Sequence, residues 1–202
     1  MTKIQQYGWN DRWNESFREY ASLGLKPARV LAEHKNKYRL VTKNGECWGE
    51  IAGRFRYQAS GRKDYPAVGD WVAVAHGEPG SLNLDIAVIH AVAERKSLFS
   101  RKEAGNTTNE QIVAANFDTV LVMMSLNKDF NLRKLERYIV AAWDSGAVPA
   151  ILLSKADLCD DVADKVSKVE EIAPGVSVYV VSSLKGLGLT KSGKFFNLAG
   201  QW

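Results

Sequence analysis

Pro149-Ala-Ile-Leu-Leu-Ser154-Lys155-Ala156-Asp157-Leu158 is the stretch on which the fold turns. Ala150 to Leu153 run without a polar break and give way at once to Ser-Lys-x-Asp. Such a run fits a strand buried on both faces, the kind found in parallel sheets covered by helices. The flanking sequence supplies the rest of the pattern. Thr119 to Ser125 is a second apolar run, β-branched and Met-rich. Between the two, Asn131 begins a helix whose Leu132, Leu135, Tyr138, Ile139, Ala142 and Trp143 share one face, and Gly146 ends it. Asp160 to Ile172 reads as a second helix stopped by Pro174-Gly175, and Ser177 to Val181 as a third strand. The β-α-β-α-β order predicts an α/β unit with a parallel sheet. Right-handed crossovers bring the C-terminal ends of its strands to one edge, where ligands of such sheets bind.

The residues at that edge point to a ligand. An ionised Asp157 at the end of a buried strand is a fixed double acceptor. Guanine offers two adjacent donors, its ring N–H and its exocyclic amine, whereas adenine has no such pair. The stem of Lys155 can lie over a purine ring with its ammonium in water, and Ser154 can hold the loop. The bland alternative is a strand-to-helix turn in which Asp157 caps the next helix. One βα unit later, Val178-Tyr-Val-Val-Ser182-Ser183-Leu184-Lys185-Gly186 ends a strand in two hydroxyls and a turn whose backbone N–H groups could meet a guanine carbonyl. Two further matches fail. Asn127-Lys128-Asp129 has its Asp one place early, with Phe130 where the Asp should stand. Gly188 to Lys194 has P-loop spacing, but Phe195 occupies the place of the Ser or Thr whose hydroxyl holds magnesium.

The first half follows a different period. Residues 1–24 carry Trp9, Trp13, Phe17 and Tyr20 at helical spacing, which predicts an amphipathic lead helix docked on the body. From Pro27 the pattern turns to about five short strands separated by turn signals. These are Ala28–His34, Lys37–Lys43, Glu46–Ala52 with Arg54–Tyr57 continuing it, Asp70–His76 and Leu84–Ala93. Lys35-Asn36 and Asn44-Gly45 make tight turns, the second of type I′. A small closed barrel is expected, because closure removes sheet edges. Val68-Gly69-Asp70-Trp71-Val72 opens a barrel strand, with Gly69 at a bend and Trp71 filling the interior. Tyr38 and Trp48 are also expected in the core. Residues 97–112 read as a polar connector in which Thr108 and Gln111 could box a helical turn.

Charge is unevenly spread. Residues 1–100 hold 15 Lys and Arg against 11 Asp and Glu, while the second half is balanced. Within 26–63 ten basic residues face three acidic ones. Lys35, Lys37, Arg39, Arg54, Arg56, Arg62 and Lys63 are the candidate RNA-binding residues, cations that hold phosphates beside aromatics that can stack on bases. The alternative is a solubilising surface. With 46% hydrophobic and 25% charged residues, the composition is that of a globular protein. No membrane-length apolar stretch is present, and residues 1–10 lack the apolar core of a secretory signal. Cys47 and Cys159 are too few for a disulfide framework, which fits a reducing cytoplasm. His34, His76 and His90 have no metal-ligand spacing, and no nucleophile–base pair is evident, so neither a metal site nor a catalytic residue is assigned.

Taken together, several segments resemble the ribosome small subunit-dependent GTPase A family, YjeQ/YloQ-like circularly permuted GTPases. They are Pro66-Ala-Val-Gly-Asp-Trp-Val72, Ser97-Leu-Phe-Ser-Arg-Lys102, Glu110 to Val120, Asp129-Phe-Asn-Leu-Arg-Lys-Leu-Glu-Arg-Tyr138 and Ser154-Lys-Ala-Asp-Leu158. The resemblance spans about residues 28–190. It implies an OB-fold barrel contacting 16S ribosomal RNA, followed by a P-loop GTPase-like, circularly permuted α/β domain. It further implies GTP hydrolysis with magnesium, stimulated by the small ribosomal subunit late in that subunit's maturation, in the cytoplasm. By resemblance the guanine-specificity motif falls on Ser154, Lys155, Ala156 and Asp157, with Ser where Asn or Thr is usual, and the second base-contact motif on Ser182 and Ser183. Lys191 to Gly200 resembles the strand that leads to the family's P-loop, and Gln201-Trp202 stands where that loop should form.

The expected domains are a helical lead over 1–26, the barrel over 27–96, a connector over 97–112 and an incomplete GTPase domain over 113–202. The P-loop, switch regions and zinc-containing C-terminal domain of the family are not found in these residues. This chain by itself is therefore expected to bind GTP or GDP weakly or not at all, to lack hydrolysis, and to self-associate through its incomplete sheet. A non-enzymatic module that binds RNA or ribosomes is the alternative.

Overall fold

The computed structural model describes residues 2–35, 37–76, 86–102 and 110–189. It divides into two compact units, Met1–Phe117 and Asp118–Trp202, each taken by itself below.

The first unit is built on a closed barrel of β1 (Lys26–His34), β2 (Lys37–Thr42), β3 (Gly45–Ile51), β4 (Trp71–His76) and β5 (Ile86–Val92), in the order β1-β2-β3-β5-β4. Only β3 and β5 pair in parallel; the other neighbours are antiparallel. The period-two alternation turns Val30, Leu40, Val72, Val74 and Ile89 inward, with Tyr38 among them. The same alternation corrects two aromatic expectations. Trp48 lies on the outward face of β3 and is 39% exposed. Trp71 is fully buried, but not inside the barrel. It faces out from β4 and packs with Ile4, Trp13 and Phe17 in a separate cluster.

Those residues come from the N-terminal segment, which forms three short helices rather than one. They are α1 (Lys3–Gln6), α2 (Asp11–Ser16) and α3 (Arg18–Ser22). Gly8 breaks the run at φ +91°, and the Asn10 side chain accepts the Trp13 N–H to start α2. The break lets Trp9 and Trp13 both reach Trp71, with ring centroids at 4.8 and 5.9 Å.

Three other expectations change. Residues 54–57, read as strand, lie in α4 (Gly53–Gln58). The Ala52 N–H still bonds Ile89 O, but beyond it β3 leaves the wall and Tyr57 is almost wholly exposed. The β2–β3 turn forms where expected, yet it is not type I′. Of its residues only Gly45 has positive φ, and the Thr42 hydroxyl braces the turn by accepting from Asn44 N–H and donating to Gly45 O. The connector is an antiparallel hairpin of β6 (Leu98–Lys102) and β7 (Glu110–Ala115), so Glu110 and Gln111 are strand and not helix. The remainder of the expected helical turn, and Asn36, lie outside the described residues.

A buried ion pair ties this unit together. Asp70 is fully buried, and Arg95 grips it through Nε and Nη2 at 2.7 to 3.1 Å. The same guanidinium donates to Lys63 O and Tyr65 O. Asp70 Oδ2 also accepts the Ala67 N–H at 2.8 Å. Beside it Gly69, at φ +90°, lies so close to β7 that a Cβ would stand 2.1 Å from Ala115 O. Asn116 closes the joint, accepting the Lys96 N–H and donating to Gly69 O.

The second unit is a parallel sheet of β8 (Thr119–Ser125), β9 (Val148–Ser154) and β10 (Ser177–Val180), in the order β10-β9-β8, as the α/β pattern requires. α5 (Leu132–Asp144) and α6 (Val162–Ile172) start at side-chain caps from Asn131 and Asp161. Leu135, Ile139 and Val169 pack on Val122, Met124, Ile151 and Leu153. Tyr138 and Trp143, expected on the buried face of α5, flank that stripe and are about half exposed.

The ion pair sets a stability test. Replacing Arg95 with Ala strands the Asp70 charge, and the expected cost is about 3–5 kcal/mol. Arg95→Lys should recover only part of it, because an ammonium cannot make the bidentate contact. Urea denaturation of the three proteins checks this, and a loss below about 1 kcal/mol for Arg95→Ala contradicts it.

Candidate functional site

In the second unit the strand ends converge as the crossover rule requires. Lys155 takes the left-handed conformation at φ 57°, ψ 40°, which ends β9 abruptly. The chain then makes a single 3-10 turn over Ala156–Leu158, and the Ala156 N–H bonds Val181 O at the end of β10. This links the two candidate segments directly. The half-buried Asp157 accepts a short hydrogen bond from the Ser182 hydroxyl. The Ser182 oxygen in turn accepts the Lys185 N–H at 3.1 Å. Asp157 does not cap α6; Asp161 does.

The electrostatics follow from these contacts. The Ser182 hydrogen bond, above all, holds the Asp157 carboxyl below its ordinary range. Burial opposes this, while its own backbone N–H and the charges of Lys185 and Lys155 add to it. The carboxylate is therefore ionised at neutral pH, as an acceptor must be.

The candidate residues divide by what they touch. Ser182 is fully buried, its hydroxyl is engaged by Asp157 and Lys185, and its backbone pairs with Leu187. It positions Asp157 and has no group left to meet a base. Ser183 is exposed, and its N–H makes no hydrogen bond among the described residues. Lys155 is exposed and Ala156 buried. Ser154 O accepts the Leu126 N–H, which binds this edge to the end of β8. Lys185, whose charge acts on Asp157, was missed by sequence reasoning; its place beside an Asp 28 residues earlier shows only in the fold. Asn127 of the rejected match braces the chain before α5, accepting from Ser125 Oγ and Asp129 N–H. Of the rejected P-loop match, only Gly188 and Leu189 are among the described residues. A cavity of about 590 Å³ in this unit lies elsewhere, beside β8 between Met123, Phe130, Lys134 and Tyr138.

On the barrel, all seven candidate cations are exposed. Three are neutralised in place: Lys37 by Glu50 at 3.2 Å, Arg39 by Glu46 at 2.8 Å and Arg62 by Glu33 at 3.1 Å. Such exposed pairs hold weakly and can exchange an acid for a phosphate. Lys35, Arg54 and Arg56 form no ion pair among the described residues. Trp48, expected in the core, instead stands on the surface between the Arg39 guanidinium at 5.8 Å and the His34 ring at 5.6 Å. An exposed indole flanked in this way is a stacking surface. The signal for it was the outward register of the strand, which only the pairing of Trp48 with Arg39 reveals.

Comparison with known proteins bears on both units. A family model described as RsgA GTPase matches residues 92–197. The curated relatives include Small ribosomal subunit biogenesis GTPase RsgA 2 of Lactiplantibacillus plantarum. It is 41% identical over 161 residues, which are 80% of this chain and 44% of the relative. Small ribosomal subunit biogenesis GTPase RsgA of Opitutus terrae is 37% identical over 191 residues, 92% of this chain and 52% of the relative. The chain thus spans about half the length of these relatives. Among solved structures, that of YjeQ from Thermotoga maritima superposes with a TM-score of 0.65 at 22% identity, covering 85% of this chain and 57% of that one. That of YloQ, a circularly permuted GTPase, gives 0.59 at 18% identity, covering 86% and 56%. At such identities the likeness is one of fold: an OB-fold barrel followed by the parallel sheet of a circularly permuted GTPase. With more than half of its 202 residues matched by the family model and relatives about 40% identical, the chain belongs to the RsgA GTPase family.

Proposed function

We propose that this chain carries the RNA-binding barrel and the guanine-reading half of a GTPase that acts in biogenesis of the small ribosomal subunit. The observation that carries the reading is the lock between Ser182 and Asp157 at the C-terminal edge of the sheet. It presents an ionised carboxylate, flanked by Lys155 and Lys185, where a purine edge can meet it. In this reading Asp157 accepts the guanine ring N–H and exocyclic amine, the Lys155 stem covers the ring, and Ser182 positions the carboxylate. The Ser183 N–H meets the guanine carbonyl, and Ser154 and Ala156 shape the turn. The nucleotide is GTP or GDP, and the names of the relatives support the small subunit as partner. That partner puts the protein in the cytoplasm.

The described residues contribute to the base and not to the phosphates. Phosphoryl transfer needs donors around the γ-phosphate. The base-reading edge supplies specificity for that chemistry, and binding by this chain should depend on the base far more than on the phosphate count.

On the barrel, Lys35, Arg54 and Arg56 are the first phosphate contacts. Lys37, Arg39 and Arg62 join once RNA displaces their acids, with Lys63 beside them. Trp48 stacks on an unpaired base. The specific observation favouring an RNA role independent of nucleotide is this exposed indole between Arg39 and His34.

Two experiments follow from the nucleotide reading. In ¹H–¹⁵N spectra of the chain, guanosine should shift the amides of residues 154–157 and 182–185. Inosine, which lacks the exocyclic amine, should bind about tenfold more weakly or worse. Equal binding of inosine and guanosine would refute the role of Asp157. In a carboxyl ¹³C titration, Ser182→Ala should move Asp157 up toward its ordinary pKa, since its largest lowering contact is gone. Protonation removes the double acceptor, so guanosine binding should fail on acidification at a higher pH in the variant than in the parent. An unmoved titration removes Ser182 from the positioning role.

The RNA reading is tested by sedimentation with purified small ribosomal subunits. Arg54→Glu together with Arg56→Glu should abolish co-sedimentation, and Trp48→Ala should weaken it by about tenfold or more. Wild-type binding by all variants would leave the barrel as a solubilising surface.

A further inference from the structure

A cavity of about 530 Å³ opens at the barrel between the ends of β1, β2 and β3, α4 and the loop over residues 59–65. Its volume lies in the range of small-ligand sites. Ile51, Ala59 and Tyr65 supply apolar and aromatic wall, and Arg56, Arg62 and Glu33 supply charge. Arg62 is tied to Glu33 Oε1, which leaves Arg56 as the uncompensated cation. The loop is rigidly set. Ser60 and Gly61 donate their amides to Asp64 Oδ2 at 2.7 and 3.2 Å, and Arg95 holds the Lys63 and Tyr65 carbonyls.

Tyr38 is the telling residue. Its ring is part of the barrel core, and the residue is only 3% exposed. Its hydroxyl makes no hydrogen bond among the described residues, yet it is not one of their buried atoms left without a partner, so solvent reaches it. The groups whose charges act on it are Glu33, Arg62, Tyr65 and Arg56, all of them lining the cavity. The unpartnered hydroxyl therefore faces this space. Burial, first, and then Glu33 raise its pKa to about 12, so it remains a donor at any physiological pH. A phenol donor and a free guanidinium beside an apolar, aromatic wall suit a ligand that is both anionic and planar. A bare phosphate would leave the wall and most of the volume empty.

We propose that this cavity receives one unstacked nucleotide of a bound RNA, its phosphate on Arg56, its ring against Tyr65 and Ile51, and one of its oxygens accepting from the Tyr38 hydroxyl. The inference rests on the reading of the barrel as an RNA-binding domain and adds a site that reads an extruded nucleotide.

The test uses the full chain, fluorescence anisotropy and two RNA hairpins that differ by a single bulged nucleotide. The bulged hairpin should bind about tenfold more tightly. Tyr38→Phe should erase most of that preference while leaving the affinity for the paired hairpin unchanged. It should melt no earlier than the parent, because it deletes a solvent-reached hydroxyl that has no hydrogen bond among the described residues. Arg56→Ala should weaken both hairpins, the bulged one more. Equal affinity for the two hairpins, or a preference that survives Tyr38→Phe, overturns the pocket while the RNA reading of the barrel stands. Failure to bind either hairpin overturns the barrel reading itself. Free nucleoside monophosphates form a third arm: binding as tight as that of the bulged hairpin would make the site one for free nucleotide and overturn RNA as its source.

Discussion

The first unit hangs on the contact between Asp70 and Arg95. A carboxylate removed from water costs several kcal/mol unless it is fully compensated. Here compensation comes from two guanidinium nitrogens and the Ala67 amide. Because Arg95 also holds the carbonyls of Lys63 and Tyr65, the loop that carries Arg62 and lines the cavity cannot move independently of the barrel. Gly69 adds a steric condition at the same place, since no side chain fits against Ala115. The β6–β7 hairpin is drawn in by the same joint through Asn116 and by the Ser97 hydroxyl, which both donates to and accepts from the backbone of Phe117.

In the second unit a smaller contact has a comparable role. The Ser182 hydroxyl reaches Asp157 across the ends of neighbouring strands and accepts Lys185 N–H from the following turn. The contact is partly exposed, so its value lies in geometry more than in stability. It fixes the direction of an acceptor and keeps it ionised. The left-handed Lys155 makes this possible by ending β9 within one residue, so that Asp157 turns toward β10 rather than running on toward α6. The placement of this carboxylate thus depends on two backbone facts, an abrupt strand end and a parallel register that sets Leu153 beside Val180.

Much of this was legible in the chain. The uninterrupted runs at 119–125 and 150–153 announced a parallel sheet, because strands covered on both faces tolerate no polar alternation. The alternating segments with turn signals announced a barrel. Asn131 was readable as a helix start from residue type alone. The Ser-Lys-Ala-Asp segment was visible as a candidate because an acidic residue directly after a buried strand has few structural uses. What misled were short elements whose pattern fits two periods. Residues 54–57 alternate as a strand would, yet form a helix once β5 takes the place beside β3. Trp48 and Trp71 are both large and apolar, and composition cannot say which side of the wall either faces.

The sequence by itself therefore determined the classes of element, their order and the family, since these rest on local periodicity and on contiguous motifs. The tertiary structure alone decided which side chains share a site. Ser182 serves Asp157, Arg95 serves Asp70, and Tyr38 meets Arg56 and Tyr65 around one cavity, each a matter of residues far apart in the chain. The physical reason is that a buried polar group is satisfied by whatever donor or acceptor the strand pairing brings within about 3 Å, and that pairing is a property of the closed sheet and not of any stretch of chain.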